Sequence, residues 1–297
     1  MKLIKQSFEI LDQQCGLEGI YKQIEIAGRT CYKSEDKITE DSAKEFVDRM
    51  IKSGHGAMLE HGTVYLAIPI SEWKCTDDYR DSYISNPYSN VNDSLVDWEN
   101  NEGTVYITTN LRVLVENGWL DDLQYICEPT EYHEKRITVK FTTDQGILRE
   151  FTRHRVFSFA VESTRYCNYS KNRFSNEVTF IQPNWISDED VKDYHINYNY
   201  FIDQDNNHIT AVNRFMSALK NAEYFYMELI KLGWKPQQAR NILPLATKCD
   251  MVMTGFVSDW KHFFELRDAA SAHPQAQELA HSLHETFIQR GLVEQQE

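Results

Sequence analysis

The chain has 297 residues, 41% of them hydrophobic and 12% aromatic, and a formal net charge of -14. That length and composition build one large folded domain or two small ones and exclude a disordered chain. The acidic balance disfavours a protein that coats nucleic acid electrostatically, and no apolar stretch approaches the roughly 20 residues that a membrane span needs.

In chain order, residues 2–11 read as an opening strand, and 17–29 carry helical apolar spacing at Leu17, Ile20, Ile24 and Ala27. Thr39 is placed to cap a helix through Ile51, with Phe46, Val47, Met50 and Ile51 on one face and Gly54 just past its end. Residues 63–70 read as a strand. The stretch 77–101 is polar and rich in Asn, Ser, Asp and Tyr, which predicts a long surface excursion. Beyond it, 105–108 reads as a short strand and Asn110 as the cap of a helix ending near Gly118. Residues 136–143 alternate Ile137, Val139 and Phe141 as a half-buried strand does. A helix follows from about Gln145 or Gly146.

Residues 188–207 form a second polar insertion. Residues 211–232 are the clearest helix, with Phe215, Leu219, Ala222, Tyr226 and Leu229 on one stripe and Gly233 at the end. Pro236 suits the first turn of the next helix. Residues 251–257 read as a strand. Ser258 or Asp259 caps a helix carrying His262, Phe263, Leu266 and Arg267, and a final helix runs from about Pro274 to Gln289. Strands and helices mix irregularly, without repeats or flexible linkers. The expected fold class is α+β, a mixed or antiparallel sheet flanked by helices in a single domain over 1–297, with surface insertions near 75–130 and 185–208.

The six cysteines (Cys15, Cys31, Cys75, Cys127, Cys167 and Cys249) include no CxxC pair. No metal site is expected from them, and they read as reduced thiols. The N-terminus lacks the apolar core and cleavage site of a signal peptide, so a cytoplasmic protein is expected.

Charge is distributed unevenly. Between residues 149 and 173 stand six cations (Arg149, Arg153, Arg155, Arg165, Lys171, Arg173) against two acids, Glu150 and Glu162. Arg153 and Arg155 offer planar forks suited to phosphate, and His154 between them can donate to an anion or bond a heterocycle. Ser163 and Arg165 add a hydroxyl and another fork. The bland reading is a set of salt bridges around Glu150 and Glu162. Against it, Phe151, Val156, Phe157, Phe159 and Val161 are interleaved with the cations. Charged groups at the edge of a core need a counter-anion.

Arg153-His154-Arg155, then seven residues, then Ser163, continuing as Thr164-Arg165-Tyr166, resembles the signature of the flavin-dependent thymidylate synthases. Three further segments match in the family's order. They are Gly54-His55-Gly56-Ala57-Met58-Leu59-Glu60-His61, then Ala239-Arg240-Asn241-Ile242-Leu243-Pro244-Leu245, then His262 to Arg267 with Ala272-His273-Pro274-Gln275-Ala276-Gln277. The resemblance covers residues 15–70, 136–180 and 211–290.

The resemblance implies an enzyme that methylates dUMP to dTMP. Methylenetetrahydrofolate would donate the carbon, FAD and NADPH would supply reducing equivalents, and tetrahydrofolate would be released. It implies no protein nucleophile, in keeping with the lack of any cysteine after a proline. It assigns Arg153, Glu162, Ser163, Arg165, Arg240 and Arg267 to dUMP, and His55, Glu60, Arg153, His154, Arg155 and His262 to FAD. Arg267 is the catalytic residue, a permanent cation favouring the ionised uracil ring. Small-molecule partners and a homotetramer with shared active sites follow, with no nucleic acid or membrane partner. The sequence departs from the family at Ala160 and Val161, where Asn and Glu are common, at Phe256 (commonly Asn) and at Cys31 (commonly Ser). Two alternatives remain open. One is a flavin-dependent methyl- or hydroxymethyltransferase on another pyrimidine nucleotide. The other is a non-catalytic nucleotide- or RNA-binding module built on the basic island and its aromatics.

Overall fold

A nine-residue strand, β6 (Arg136–Asp144), lies antiparallel to a second, β9 (Lys248–Phe256), along their full length. Seven of the nine residues of β9 are buried, so it runs through the middle of the molecule. Outside them lie β2 (Ser7–Ile10) and β7 (Ser158–Val161), giving a four-stranded antiparallel sheet in the order β2-β6-β9-β7. A second antiparallel sheet, β3-β5-β4, joins β3 (Thr63–Pro69), β4 (Asn90–Asn92) and β5 (Thr104–Asn110). A parallel pair, β1 (Lys2–Ile4) with β8 (Thr179–Ile181), completes the strands of this computed structural model, which describes residues 1–73, 82–193 and 210–294.

Two of the cores follow from the antiparallel sheets. In the first, Ile20 and Ile24 of α1 (Gly16–Tyr32) and Phe46, Val47 and Met50 of α2 (Ser42–Lys52) pack on Val64, Leu66 and Ile107. In the second, Val139, Phe141, Met251 and Met253 lie under two later helices, which supply Trp260, Phe263, Leu283 and Phe287. Ala27 of α1 meets Ala160 and Val252, so one helix touches both sheets. Small residues at that contact let the helix approach β7 and β9 closely.

Several expected elements take their expected bounds. Asn110 caps α4 (Leu111–Asn117) by accepting from the Val113 amide at 3.2 Å, and Gly118 ends it at φ 73°. A single glycine is favoured there because it alone enters the left-handed region without a Cβ penalty. The long helix α7 (Ala211–Lys231) and the last helix α10 (Pro274–Gln289) also agree. Between α4 and α7 lie α5 (Gln145–Phe151) and α6 (Asp188–Asp193), and before α4 a single turn, α3 (Gly56–Leu59). After α7 come α8 (Pro236–Ala239) and α9 (Val257–Arg267). The α+β class is the observed one.

Other elements differ. The opening segment is two strands in two sheets, because at Gln6 the chain leaves β8 for β6 and the Gln6 side chain bonds the Gln275 carbonyl at 2.8 Å. α2 begins three residues after Thr39, whose amide donates to the Ser42 hydroxyl at 2.9 Å. α9 is capped at Phe256, and Asp259 reaches back to that amide at 3.0 Å from inside the helix. Of the polar stretch 77–101, residues 77–81 lie outside the described residues, and the rest is anchored at Tyr83, which is fully buried against Trp119 and bonds Asp122 at 3.0 Å. In the second insertion, residues 194–208 lie outside the described residues.

Candidate active site

The signature occupies the connection from α5 into β7. Asp144, itself nearly buried, starts α5 by accepting from the Gly146 and Ile147 amides, both at 2.8 Å. The helix ends after two turns, and the tight turn at 152–157 follows, with the Phe157 amide on the His154 carbonyl at 3.2 Å. Phe157 points into the core against Trp260, ring centroids 4.7 Å apart. Its ring lies on Gly255 of β9 so closely that a Cβ there would come within 2.4 Å of it. With Phe157 inward, the turn puts His154 inward and leaves Arg153 and Arg155 exposed.

His154 accepts a hydrogen bond at Nε2 from Nε of Arg267, 3.0 Å away at the end of α9. Burial, then the Arg267 and His262 charges, push its pKa down to about 4, so the ring is neutral at pH 7 with its proton on Nδ1. The Arg267 guanidinium also donates to the Glu150 carboxylate at 2.9 Å and to the Glu150 carbonyl at 2.8 Å. Three donors of one fork therefore tie α9 to the C-terminus of α5. His262 lies one turn earlier on α9, exposed, with its ring 6.3 Å from that of His154 and Nδ1 3.1 Å from Glu265.

Glu162 turns the other way. It is buried, and its carboxylate accepts from Lys248 at 2.8 Å and from the Asp250 amide at 3.1 Å. Asp250 in turn takes Lys33 and Lys248, the latter at 2.5 Å. Burial would raise the Asp250 pKa, but the two lysines override it and hold the carboxyl down to about 2. Lys33 reaches this cluster because α1 ends there in a left-handed residue, φ 49°. The next residue, Ser163, is half-buried, and its amide donates to the Cys31 carbonyl at 2.9 Å. The signature is thus fastened to the end of α1.

Arg240, just after α8, donates to the Thr164 hydroxyl at 2.9 Å. The two share the wall of a cavity of about 350 Å³ with Gln145, Arg149, Asn241 and Leu245. Gln145 and Arg149 line this cavity but were not among the expected site residues. Their signal was the four-residue spacing that sets both on one face of α5. Of the His55–His61 segment, His55 is exposed, while Glu60 is buried and paired with Arg112. His61, not singled out as a site residue, is fully buried and bonds Thr254 at 2.8 Å.

The bland reading of the basic island can now be judged. It required Glu150 and Glu162 to neutralise the signature arginines. Both carboxylates are instead taken by cations from distant elements, Arg267 and Lys248. Among the described residues no carboxylate pairs with Arg153, Arg155 or Arg165, and Arg165 only rests on the Tyr166 ring, 5.5 Å from its centroid. The model of the thymidylate synthase complementing protein family, Thy1, matches residues 129–290, which hold the signature, Arg240, Lys248, Asp250 and Arg267. The chain belongs to the Thy1 family.

Relatives within the Thy1 family lie at low identity. A probable flavin-dependent thymidylate synthase of Paramecium bursaria Chlorella virus 1 is 26% identical over 51% of this chain and 66% of its own length. The flavin-dependent thymidylate synthase of Synechocystis sp. is 28% identical over 51% and 66%, and that of Haloarcula marismortui is 25% identical over 52% and 63%. The chain therefore matches somewhat under two thirds of the length of these relatives. A UMP/dUMP methylase, PolB from Streptomyces cacaoi bound with 5-Br dUMP, aligns over 97% of this chain and 93% of its own at 18% identity and a TM-score of 0.43.

Proposed function

We propose that this protein is a flavin-dependent thymidylate synthase that converts dUMP to dTMP, with methylenetetrahydrofolate as carbon donor and NADPH as reductant. The observation that carries the reading is the set of arginines at 153, 155 and 165, which pair with no carboxylate among the described residues, on a segment whose own carboxylates, Glu150 and Glu162, are already neutralised. In an acidic chain such cations receive polyanionic ligands. FAD, when bound, would carry reducing equivalents from NADPH to the methylated pyrimidine.

In this reading Arg153 and Arg155 hold phosphates of FAD, and Arg153 also reaches the nucleotide. His154 is a neutral, oriented contact to the flavin, and His55, Glu60 and His262 line the same pocket. Ser163, Arg165 and Arg240 bind dUMP, with Arg149 and Gln145 beside Arg240 on the cavity wall. Glu162 keeps Ser163 in register through its bonds to β9. Arg267 favours the anionic uracil ring with the donors not spent on Glu150 and His154. The protein works as one domain in a homotetramer with shared sites. Exposed Tyr224, Phe225, Leu232 and Trp234 on and after α7 support association. Reduced cysteines fit a cytoplasmic enzyme, and the five described ones are free.

The test is direct. Purified protein should show flavin absorbance and form dTMP from dUMP, methylenetetrahydrofolate and NADPH. An FAD-loaded sample that forms no dTMP rejects the reading. A different methylated or hydroxymethylated pyrimidine nucleotide as product would move the assignment to another substrate on the same site. A colourless protein with salt-sensitive RNA binding would replace it with a binding module.

A further inference from the structure

A second cleft lies away from the signature, at the other end of α1. It holds about 480 Å³, within the range of small-molecule sites, between the N-terminus of α1, the start of β6 and the turn after α10. Cys15 and Gly16 begin α1 at its edge, whereas Ser163 is fastened to Cys31 near the far end. A helix of 17 residues puts those ends about 25 Å apart.

The walls of the cleft are unbalanced in charge. Lys135, Arg136 and Arg290 line the cleft with one carboxylate, Asp12, which Arg290 takes at 2.7 Å, and Glu128 stands at the rim against Cys15. Among the described residues no carboxylate pairs with Lys135 or Arg136. Arg136 is buried, donates from Nη1 to the Glu60 carbonyl at 3.1 Å and the Thr63 hydroxyl at 3.5 Å, lies over the Phe256 ring 5.6 Å from its centroid, and among the described residues finds no partner for Nε. The two acids nearest in its surroundings are engaged elsewhere: Glu60 by Arg112, and Asp259 by the Phe256 amide at 3.0 Å. A buried, unpaired cation is costly unless something completes it. Burial lowers the Arg136 pKa only to about 10, so the charge persists at pH 7. No side chain caps the N-terminus of α1, whose dipole adds positive potential at the same edge. Leu11, Ile20, Ile126 and Leu292 supply apolar walls.

We propose that this cleft binds a small organic oxyanion, a carboxylate or phosphate monoester carried on an apolar body, with Arg136 and Lys135 on the anionic group. The cleft shares no lining residue with the Arg240 cavity, borders the proposed flavin pocket where Arg136 bonds the Glu60 carbonyl, and is proposed independently of the flavin and nucleotide reading.

Cys15 is exposed on the rim and gives a local probe. Its alkylation by iodoacetamide is followed by peptide mass spectrometry on the full chain, with phenyl phosphate, benzoate or neutral benzyl alcohol added. At saturation at least one of the two anions should slow Cys15 alkylation fivefold or more and leave Cys31 unchanged, and which one protects identifies the head group. Lys135 is exposed, so Lys135→Gln leaves the fold intact and should raise the half-protecting concentration at least fivefold. Arg240→Gln, at the other cavity, should leave it within twofold. The proposal is overturned by absence of protection with both anions, by equal protection with benzyl alcohol, or by sensitivity to Arg240→Gln without sensitivity to Lys135→Gln.

Discussion

Two sets of charges stand on the segment from Arg153 to Arg165, and they have been resolved in opposite ways. Around Glu162, two carboxylates and two lysines neutralise one another largely out of solvent. Around Arg153, Arg155 and Arg165 the cations stay in solvent with no described acid to meet them. The first arrangement fixes a backbone, because pulling one member out strands the others in a poor dielectric. The second fixes little and leaves charge available for a ligand. Between them, Arg267 couples the two demands: it holds the end of α5 by Glu150 and keeps His154 neutral. Charge count alone would have ranked all three regions alike.

The contrast is broken most severely at the balanced end. Asp250→Ala leaves Lys33 and Lys248 to share one buried carboxylate, and should cost about 4 kcal/mol of stability. Urea unfolding of wild type and variant at pH 7 measures it, and a loss below about 1 kcal/mol would show that the cluster does not hold the fold.

The next effect is pH-dependent. His154 has a folded pKa of about 4 against an ordinary value of 6.5, so the unfolded chain binds the proton first as pH falls. Stability from this group is present above pH 6.5 and is lost on acidification towards pH 4, about 3 kcal/mol in all. His61, pushed down to about 3 by burial and by the Arg136 charge, adds to the same slope. His154→Asn should flatten that slope by one histidine's share between pH 6.5 and 4. Equal slopes for variant and wild type in urea titrations would mean that His154 is protonated in the folded state.

Arg267→Lys keeps the charge and loses the fork that serves His154 and Glu150 together. Turnover of dUMP should fall about a hundredfold, or ~2.7 kcal/mol, while the fold survives. Unchanged dTMP formation would remove its proposed role. At the unbalanced end, Arg155→Gln should weaken flavin retention about tenfold and shift stability by less than ~0.5 kcal/mol. A stability loss comparable to that of Asp250→Ala would make Arg155 structural and erase the contrast.

Much of this was legible locally. Caps at Asn110 and Gly118, the stripe on α7 and the bounds of α10 follow from short-range backbone chemistry, which neighbouring residues specify. The break between β1 and β2 was not legible, since Lys5-Gln6-Ser7 holds no glycine or proline and only the two partner strands distinguish the halves. Tyr83 was hidden by the polar residues around it, because its burial depends on Trp119 and Asp122 some forty residues later. Gln145 and Arg149 were passed over for a related reason: their cavity exists only once Arg240 arrives from beyond α7.

By itself the sequence determined the α+β class, most helix limits and membership of a family, all of which rest on periodicity, caps and the spacing of a short motif. Only the tertiary structure decided which cation each carboxylate would take. Ion pairing acts over a few ångströms between groups up to 278 residues apart, as from Asp12 to Arg290, and chain order carries no record of those distances. Among the described residues that choice left Arg153, Arg155 and Arg165 without a carboxylate on the signature segment and Lys135 and Arg136 without one at the second cleft, and so marked where ligands are to be sought.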